Sequence, residues 1–257
     1  MSDWDPEAYA RFQDLRLRPA LDLLARVPLL PGGGVVDLGC GSGAAGPALA
    51  ARYPDRALTG IDASPAMLDK ARKTGAYAGL DRADAGGWAP TSAPALIFSN
   101  ALLHWLPDHK ALFSRLAGFL AAGGTLAVQM PRQENAPSHR FLRDIAADMF
   151  PDRFALAGWQ PRVMAPLDYV RLLAPLGHVD AWETDYIQRL GPAEGAHPVR
   201  RFTEATAMRP FLDRLEPAER AAFVARYEEA LASAYPAETD GSVLFPFRRL
   251  FLILTRP

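Results

Sequence analysis

The chain has 257 residues, 49% of them hydrophobic, and its 28 Lys and Arg nearly balance 29 Asp and Glu for a formal net charge of −1. That length supports one large globular domain, or a domain with a cap, and the charge balance argues against a nucleic-acid partner, which leaves a basic excess. A single cysteine, Cys40, rules out an intrachain disulfide and suits a reducing, cytoplasmic setting, and five scattered histidines offer no zinc-ligand spacing.

The N-terminus "MSDWDPEAYARF" is acidic and polar, unlike a secretory signal, and no run of 18 apolar residues predicts a membrane-spanning helix. Residues 6–27 have helical apolar spacing broken at Pro19, which predicts two short helices. "GGGVVDLG" predicts a breaker and a short strand, "AAGPALAARY" a helix, and "ALTGID" a second strand. "SPAMLDKARK" then predicts a helix with Ser64 as N-cap and Pro65 in its first turn. "ALIFSN" reads as a strand, "DHKALFSRLAGFLAAGG" as an amphipathic helix closed by glycines, and "TLAVQM" as a fifth strand. Strands alternating with helices imply right-handed βαβ units and a parallel sheet. Beyond residue 130 the order changes. Residues 138–150 and 166–175 read as helices, "HVDAWETDYIQRL" as an exposed edge strand, 198–234 as charged helices and "RRLFLILTRP" as a last strand.

The strand-to-helix junction "VVDLGCGSGAAG" carries four glycines in eight positions. Glycines there let backbone approach a ligand, and the following helix start offers N–H groups. Gly41, Gly43 and Gly46 match G-x-G-x-x-G, and Asp62 ends the second strand where a ribose-binding acid belongs, so a nicotinamide enzyme is one reading. Asp37 favours another. Its carboxylate would repel a pyrophosphate and suits the ammonium end of S-adenosylmethionine. Asp84 follows the third strand, placed to accept from an adenine amino group, and Met67 either packs in the core or touches the adenine. Asn100 to Trp105 follow the fourth strand, where open α/β sheets bind ligands. A dehydrogenase also needs a hydride-handling pair such as Y-x-x-x-K, and Lys70, Lys73 and Lys110 do not supply one.

The chain resembles the trans-aconitate 2-methyltransferase family of the class I S-adenosylmethionine-dependent superfamily. The resemblance runs nearly end to end through "MSDWDPEAYARF", "RPALDLLARVP", "DLGCGSG", "TGIDASPAML", "HWLPDHKALF", "LAVQMP" and "RRLFLILTRP". It implies an α/β, Rossmann-like fold with a seven-stranded, mostly parallel sheet, an antiparallel last strand and a helical lid insertion between the last two strands. The expected organisation is one domain: an N-terminal helical cover at 1–30, a core at 31–185, the lid insertion at 186–243 and a final strand at 244–257. The implied reaction esterifies a carboxylate of trans-aconitate and leaves S-adenosylhomocysteine. By motif, Asp37, Gly39, Gly41, Asp62, Asp84 and Asn100 would bind the cofactor, with Ala63, Ala85 and Trp105 lining the adenosine pocket.

The sequence departs from the family in the acceptor region. His104 replaces a glutamine before "WLPDH", "RFTEATAMRP" loses a Trp and a Gly while keeping Arg209, and Arg248 replaces a proline. Ser42 stands where a proline is common. A carboxylate needs no strong base to accept a methyl group, so the acceptor site is expected to offer cations and hydroxyls. Arg249, Arg209 and Arg18 are the candidate cations, and Tyr186 and Tyr235 the candidate hydroxyls. His104 would donate to the acceptor, act as a base toward a hydroxyl, or simply pack beside Trp105. Tyr9 and Phe12 share a helical face and are expected to cover the cofactor. Other small acids, a malonyl thioester or a hydroxyl remain alternative acceptors, and a non-catalytic cofactor-binding protein is a further alternative. The partner is thus a small carboxylate, not nucleic acid or membrane, and the chain is expected to be a monomer.

Overall fold

The computed structural model describes residues 13–155, 161–204 and 206–257. Its seven strands are β1 (Val35–Leu38), β2 (Leu58–Asp62), β3 (Gly79–Arg82), β4 (Leu96–Asn100), β5 (Thr125–Pro131), β6 (His178–Leu190) and β7 (Val243–Thr255). They form one sheet in the order β3-β2-β1-β4-β5-β7-β6. The first five strands pair in parallel, and β7 runs antiparallel to β5 from Thr125↔Thr255 to Pro131↔Arg249. β6 ends the strand order, as its alternating sequence predicts. The chain builds outward from β1 to β3 and then returns to place β4 on the other side of β1. That reversal is the point where open α/β sheets hold ligands, beyond the carboxyl ends of the strands.

The chain divides into two compact units, and β6 and β7 each change unit part-way, after Thr184 and Arg248. The first contains Gln13–Pro131, Arg162–Thr184 and Arg249–Pro257. Its helices are α1 (Gln13–Arg26), α2 (Gly46–Arg52), α3 (Pro65–Arg72), α4 (His109–Phe119) and α6 (Pro166–Leu173). Successive strand residues face opposite ways, so one sheet face presents Leu126, Val128 and Met130 of β5 with Leu250, Leu252 and Leu254 of β7. These pack in one cluster with Leu112, Phe113 and Leu116 of α4 and Tyr169 and Leu173 of α6. By the same alternation and register, the opposite face presents Asp37, Phe98, Asn100, Gln129, Phe251 and Arg249. Ser64 caps α3 as predicted, its hydroxyl accepting from the Met67 amide, with Pro65 in the first turn.

Pro19 does not divide the first helical region: residues 13–26 are one helix with the proline inside. An interior proline costs about 3 kcal/mol through the lost N–H and the clash with the preceding turn. Here Ala20, Leu23 and Leu24 are all buried on one side of the helix. Each buried Leu contributes about 1.5–3 kcal/mol, enough to offset the break. The helix reading of residues 6–12 lies outside the described residues.

The second unit, within Arg132–Pro161 and Asp185–Arg248, is mainly helical: α5 (Pro137–Met149), α7 (Pro198–Glu204), α8 (Arg209–Leu212) and α9 (Pro217–Ala234). In chain order α7 to α9 fall between β6 and β7, where the helical insertion was expected. Leu142 and Ala146 of α5 and Phe223, Tyr227 and Leu231 of α9 are fully or almost fully buried. Tyr227 donates to the Ser138 carbonyl at 2.7 Å, and the Ser138 amide donates to the Tyr235 hydroxyl at 3.1 Å, so both tyrosines fasten the start of α5. No described helix is long and apolar enough to cross a membrane.

Candidate active site at the carboxyl ends of the strands

The glycine loop leaves β1 and enters α2, and most of its amides serve the protein itself. Gly39 and Cys40 donate to the Ile61 carbonyl, Gly43 to Cys40 and Gly46 to Gly43. The Gly41 amide donates to Asp62 Oδ2 at 2.9 Å. A pyrophosphate cradle needs such N–H groups turned toward the ligand, and these five are committed to the protein. Gly46, the last glycine of that pattern, answers to packing instead. A Cβ there would stand 2.6 Å from the Tyr77 ring. Gly41 differs: its φ is +53° and a Cβ would meet nothing within 4 Å, so this glycine borders open space.

Asp37 is 2% exposed at the centre of the sheet, and its Oδ2 accepts from the Tyr77 hydroxyl at 2.7 Å. Burial pushes its carboxyl up to about 7; the Tyr77 hydrogen bond opposes this and the nearby Asp62 charge adds to it. A carboxylate so poorly solvated favours a cationic neighbour. Asp62 clamps two backbone segments, its Oδ2 accepting from Gly41 and its Oδ1 from the Ser64 amide at 2.9 Å. It thereby acts at the start of α3 and also holds the glycine loop to the end of β2. Beside it Ala63 is exposed and Met67 is buried.

Asp84 is exposed and accepts from the Gly86 amide at 2.6 Å. Ala85 is buried, and Arg115 fastens this loop by donating to the carbonyls of Ala85 and Trp88 at 2.8 and 2.6 Å. Cys40 is buried, and burial, aided by the Asp37 and Asp62 charges, pushes its thiol up, as befits a packing residue.

After β4 the chain turns through Ala101, a non-glycine residue at φ +56°. Such left-handed backbone is uncommon for a residue with a Cβ and concentrates at functional sites. Asn100, just before it, has a buried Oδ1 with no hydrogen-bond partner among the described residues. A short 3₁₀ turn, Leu103–Trp105, follows. His109 holds it, with Nε2 donating to the Leu103 carbonyl at 3.0 Å and Nδ1 accepting from the Tyr169 hydroxyl at 2.5 Å. The His104 and Trp105 rings lie 4.6 Å apart, and Trp105 is 46% exposed.

Gln129, which sequence reasoning absorbed into the apolar run "TLAVQM", is fully buried, and neither end of its amide has a partner among the described residues. Leaving a buried donor or acceptor unsatisfied costs about 1–3 kcal/mol, so such a group calls for an explanation. A glutamine in an otherwise apolar strand was the available signal, because Gln is seldom buried. In register it lies between Asn100 on β4 and Phe251 on β7.

Arg249 is 4% exposed and pairs in register with Pro131, two residues beyond Gln129 on the same face. Its neighbour Arg248 is exposed and holds Asp185 through two contacts of 2.8 Å. Of the acceptor candidates, then, Arg249 joins Asn100 and Gln129 on one face. Arg18 is exposed on α1, 4.0 Å from Asp22. Arg209 at the start of α8, Tyr186 on β6 and Tyr235 belong to the second unit. Tyr9 and Phe12 lie outside the described residues. Among the described residues no group of three or more His, Cys, Asp or Glu is arranged to hold a metal.

This fold is matched by known proteins. A family model described as a methyltransferase domain covers residues 35–124. The YcgJ protein of Bacillus subtilis has a similar structure, with TM-score 0.58 and 11% identity over 93% of this chain and 98% of its own. So does Haemonchus contortus phosphoethanolamine N-methyltransferase 2 in complex with S-adenosyl-L-methionine, with TM-score 0.53 and 16% identity over 93% of this chain and 53% of its own. The class is therefore that of the methyltransferases. A trans-aconitate 2-methyltransferase of Methylobacterium nodulans is 46% identical over 100% of this chain and 99% of its own. The chain belongs to the trans-aconitate 2-methyltransferase family.

Proposed function

We propose that the chain transfers a methyl group from S-adenosylmethionine to a carboxylate of trans-aconitate, giving a monomethyl ester and S-adenosylhomocysteine. The observation that carries this reading is a polarity across one sheet face. A buried acid, Asp37, stands on β1, and a buried guanidinium, Arg249, stands beside the carboxyl end of β5. The acid suits an ammonium and the guanidinium suits a carboxylate. The name carried by the relatives supports the choice of acid.

The residues on the β1 side fit the cofactor. Gly41 borders open space, the Asn100 Oδ1 awaits a donor, and Asp37 favours a cation. We assign Asp37 and Asn100 to the methionine end, Gly39 and Gly41 to the backbone floor, and Asp62 to the ribose. Ala63, Met67, Asp84, Ala85 and Trp105 are assigned to the adenine side. When bound, S-adenosylmethionine supplies a methyl group already activated by a sulfonium.

The protein then has little acid–base chemistry to perform. A carboxylate with an ordinary pKa of about 4 is ionised at neutral pH. Its oxygen bonds to the methyl carbon as the carbon–sulfur bond breaks, one negative and one positive charge disappear, and no proton moves. Arg249 anchors a carboxylate that does not react, and His104 borders the acceptor from the turn after β4. Their work is alignment and exclusion of water.

The test is incubation with methyl-labelled cofactor and trans-aconitate. The expected result is label in a base-labile monomethyl ester with an equal yield of S-adenosylhomocysteine. Cofactor binding with no transfer to any acid would overturn the reading in favour of a non-catalytic binding protein.

A further inference from the structure

We infer that Gln129 is the residue that orients the reacting carboxylate, with its neutral side-chain amide rather than a cation holding the oxygen that is not attacked. The inference rests on the function proposed above.

Across the ligand face the strands run β1, β4, β5, β7, and they carry Asp37, Asn100, Gln129 and Arg249 in that order. Adjacent strands lie about 4.8 Å apart and successive residues rise about 3.4 Å, so Asn100 to Arg249, two strands across and two residues along, spans about 12 Å. A small tricarboxylate with its hydrogen bonds fills that length, and Gln129 stands at its middle. An acid anchored at Arg249 with its reacting end toward Asn100 must pass over Gln129.

Gln129 is 0% exposed, and both Nε2 and Oε1 are unpartnered among the described residues. Asn100 shares its face one strand away, yet the two amides do not bond each other. On its other side Phe251 stacks on Trp182, with ring centroids 4.9 Å apart and planes 5° apart, so that wall is aromatic. A ligand carboxylate supplies what Nε2 lacks. The Oε1 end repels the same carboxylate, so the amide fixes on which side the acceptor oxygens lie.

The reacting carboxylate loses its charge in the transition state. A guanidinium paired with it would stabilise the ground state more than the transition state and slow the reaction. A neutral donor orients the group while leaving its electron pair available.

The experiment compares wild type with Gln129→Met and Gln129→Asn. Four quantities are measured for each: the melting temperature, calorimetric affinity for S-adenosylhomocysteine, calorimetric affinity for trans-aconitate with cofactor product present, and KM for trans-aconitate with cofactor present. With Gln129→Met, melting temperature and cofactor-product affinity stay at or above wild type. Trans-aconitate affinity falls and KM rises by 30-fold or more, and Gln129→Asn lies between. If acceptor affinity and KM stay within twofold, or if stability and cofactor affinity fall in step with acceptor affinity, Gln129 is only structural and the inference is overturned while the proposed function stands. If wild type esterifies no polycarboxylate in a panel, both fall together.

Discussion

Asp37 is where a single residue sets a measurable property. Burial raises its carboxyl from 3.8 to about 7 in the folded chain. The native state therefore holds a proton that the unfolded state has released between pH 4 and 7, so this group's contribution to stability declines as pH rises through that window. An ammonium beside it favours the ionised form and reverses the preference. Cofactor affinity should accordingly be about fivefold weaker at pH 6 than at pH 7, below the range where the ligand's α-amino group titrates, with a proton released on binding. Titration calorimetry in two buffers of different ionisation enthalpy checks this; a flat affinity with no proton release would remove Asp37 from the cofactor site. The acid itself was legible in the sequence, because a carboxylate in a glycine-loop strand argues against phosphate. Its partner Tyr77 was not. The two are 40 positions apart, and no periodicity records such a contact. Gly46 was misleading for the same reason, fitting a dinucleotide pattern while its bare Cα serves the Tyr77 ring.

Among the elements, the short turn Leu103–Trp105 depends most on one anchor. Its first residue is fully buried, and its carbonyl is held by His109, which is in turn held by Tyr169. Burial lowers the His109 pKa below its ordinary 6.5, so the ring works as a neutral acceptor and donor at once. Replacing it with Leu removes its bonds to the Leu103 carbonyl and the Tyr169 hydroxyl, each worth about 0.5–1.5 kcal/mol, and should cost about 1–3 kcal/mol together. Denaturant unfolding would show the loss, and the wild type should also lose stability below about pH 6.5, where the unfolded His109 takes up a proton first. An unchanged midpoint in His109→Leu, together with no acid sensitivity relative to it, would contradict this anchor role. The strands and most helices were readable because apolar spacing and capping residues agree locally, as at Ser64 and Pro65. The helix through Pro19 was not, since its buried face overrides a local breaker. Gln129 was hidden because a fully buried strand is a continuous apolar run in which one amide carries no period.

At the scale of the whole molecule, topology decides what the site is. The reversal of strand order puts β1 and β4 side by side, and the antiparallel β7 brings Arg249 next to the carboxyl end of β5. Residues from positions 37, 100, 129 and 249 thus share one face in a graded order, acid to cation. That grading underlies the proposal that the β1 side holds the cofactor and the β5–β7 side the acceptor. The most direct test is a crystal structure with S-adenosylhomocysteine and trans-aconitate bound together. The account predicts the amino-acid end of the cofactor product beside Asp37 and Asn100, its ribose at Asp62, and the acid over Gln129 with a carboxylate on Arg249. An acid bound away from Gln129 and Arg249, or a cofactor product whose amino group lies far from Asp37, would contradict it.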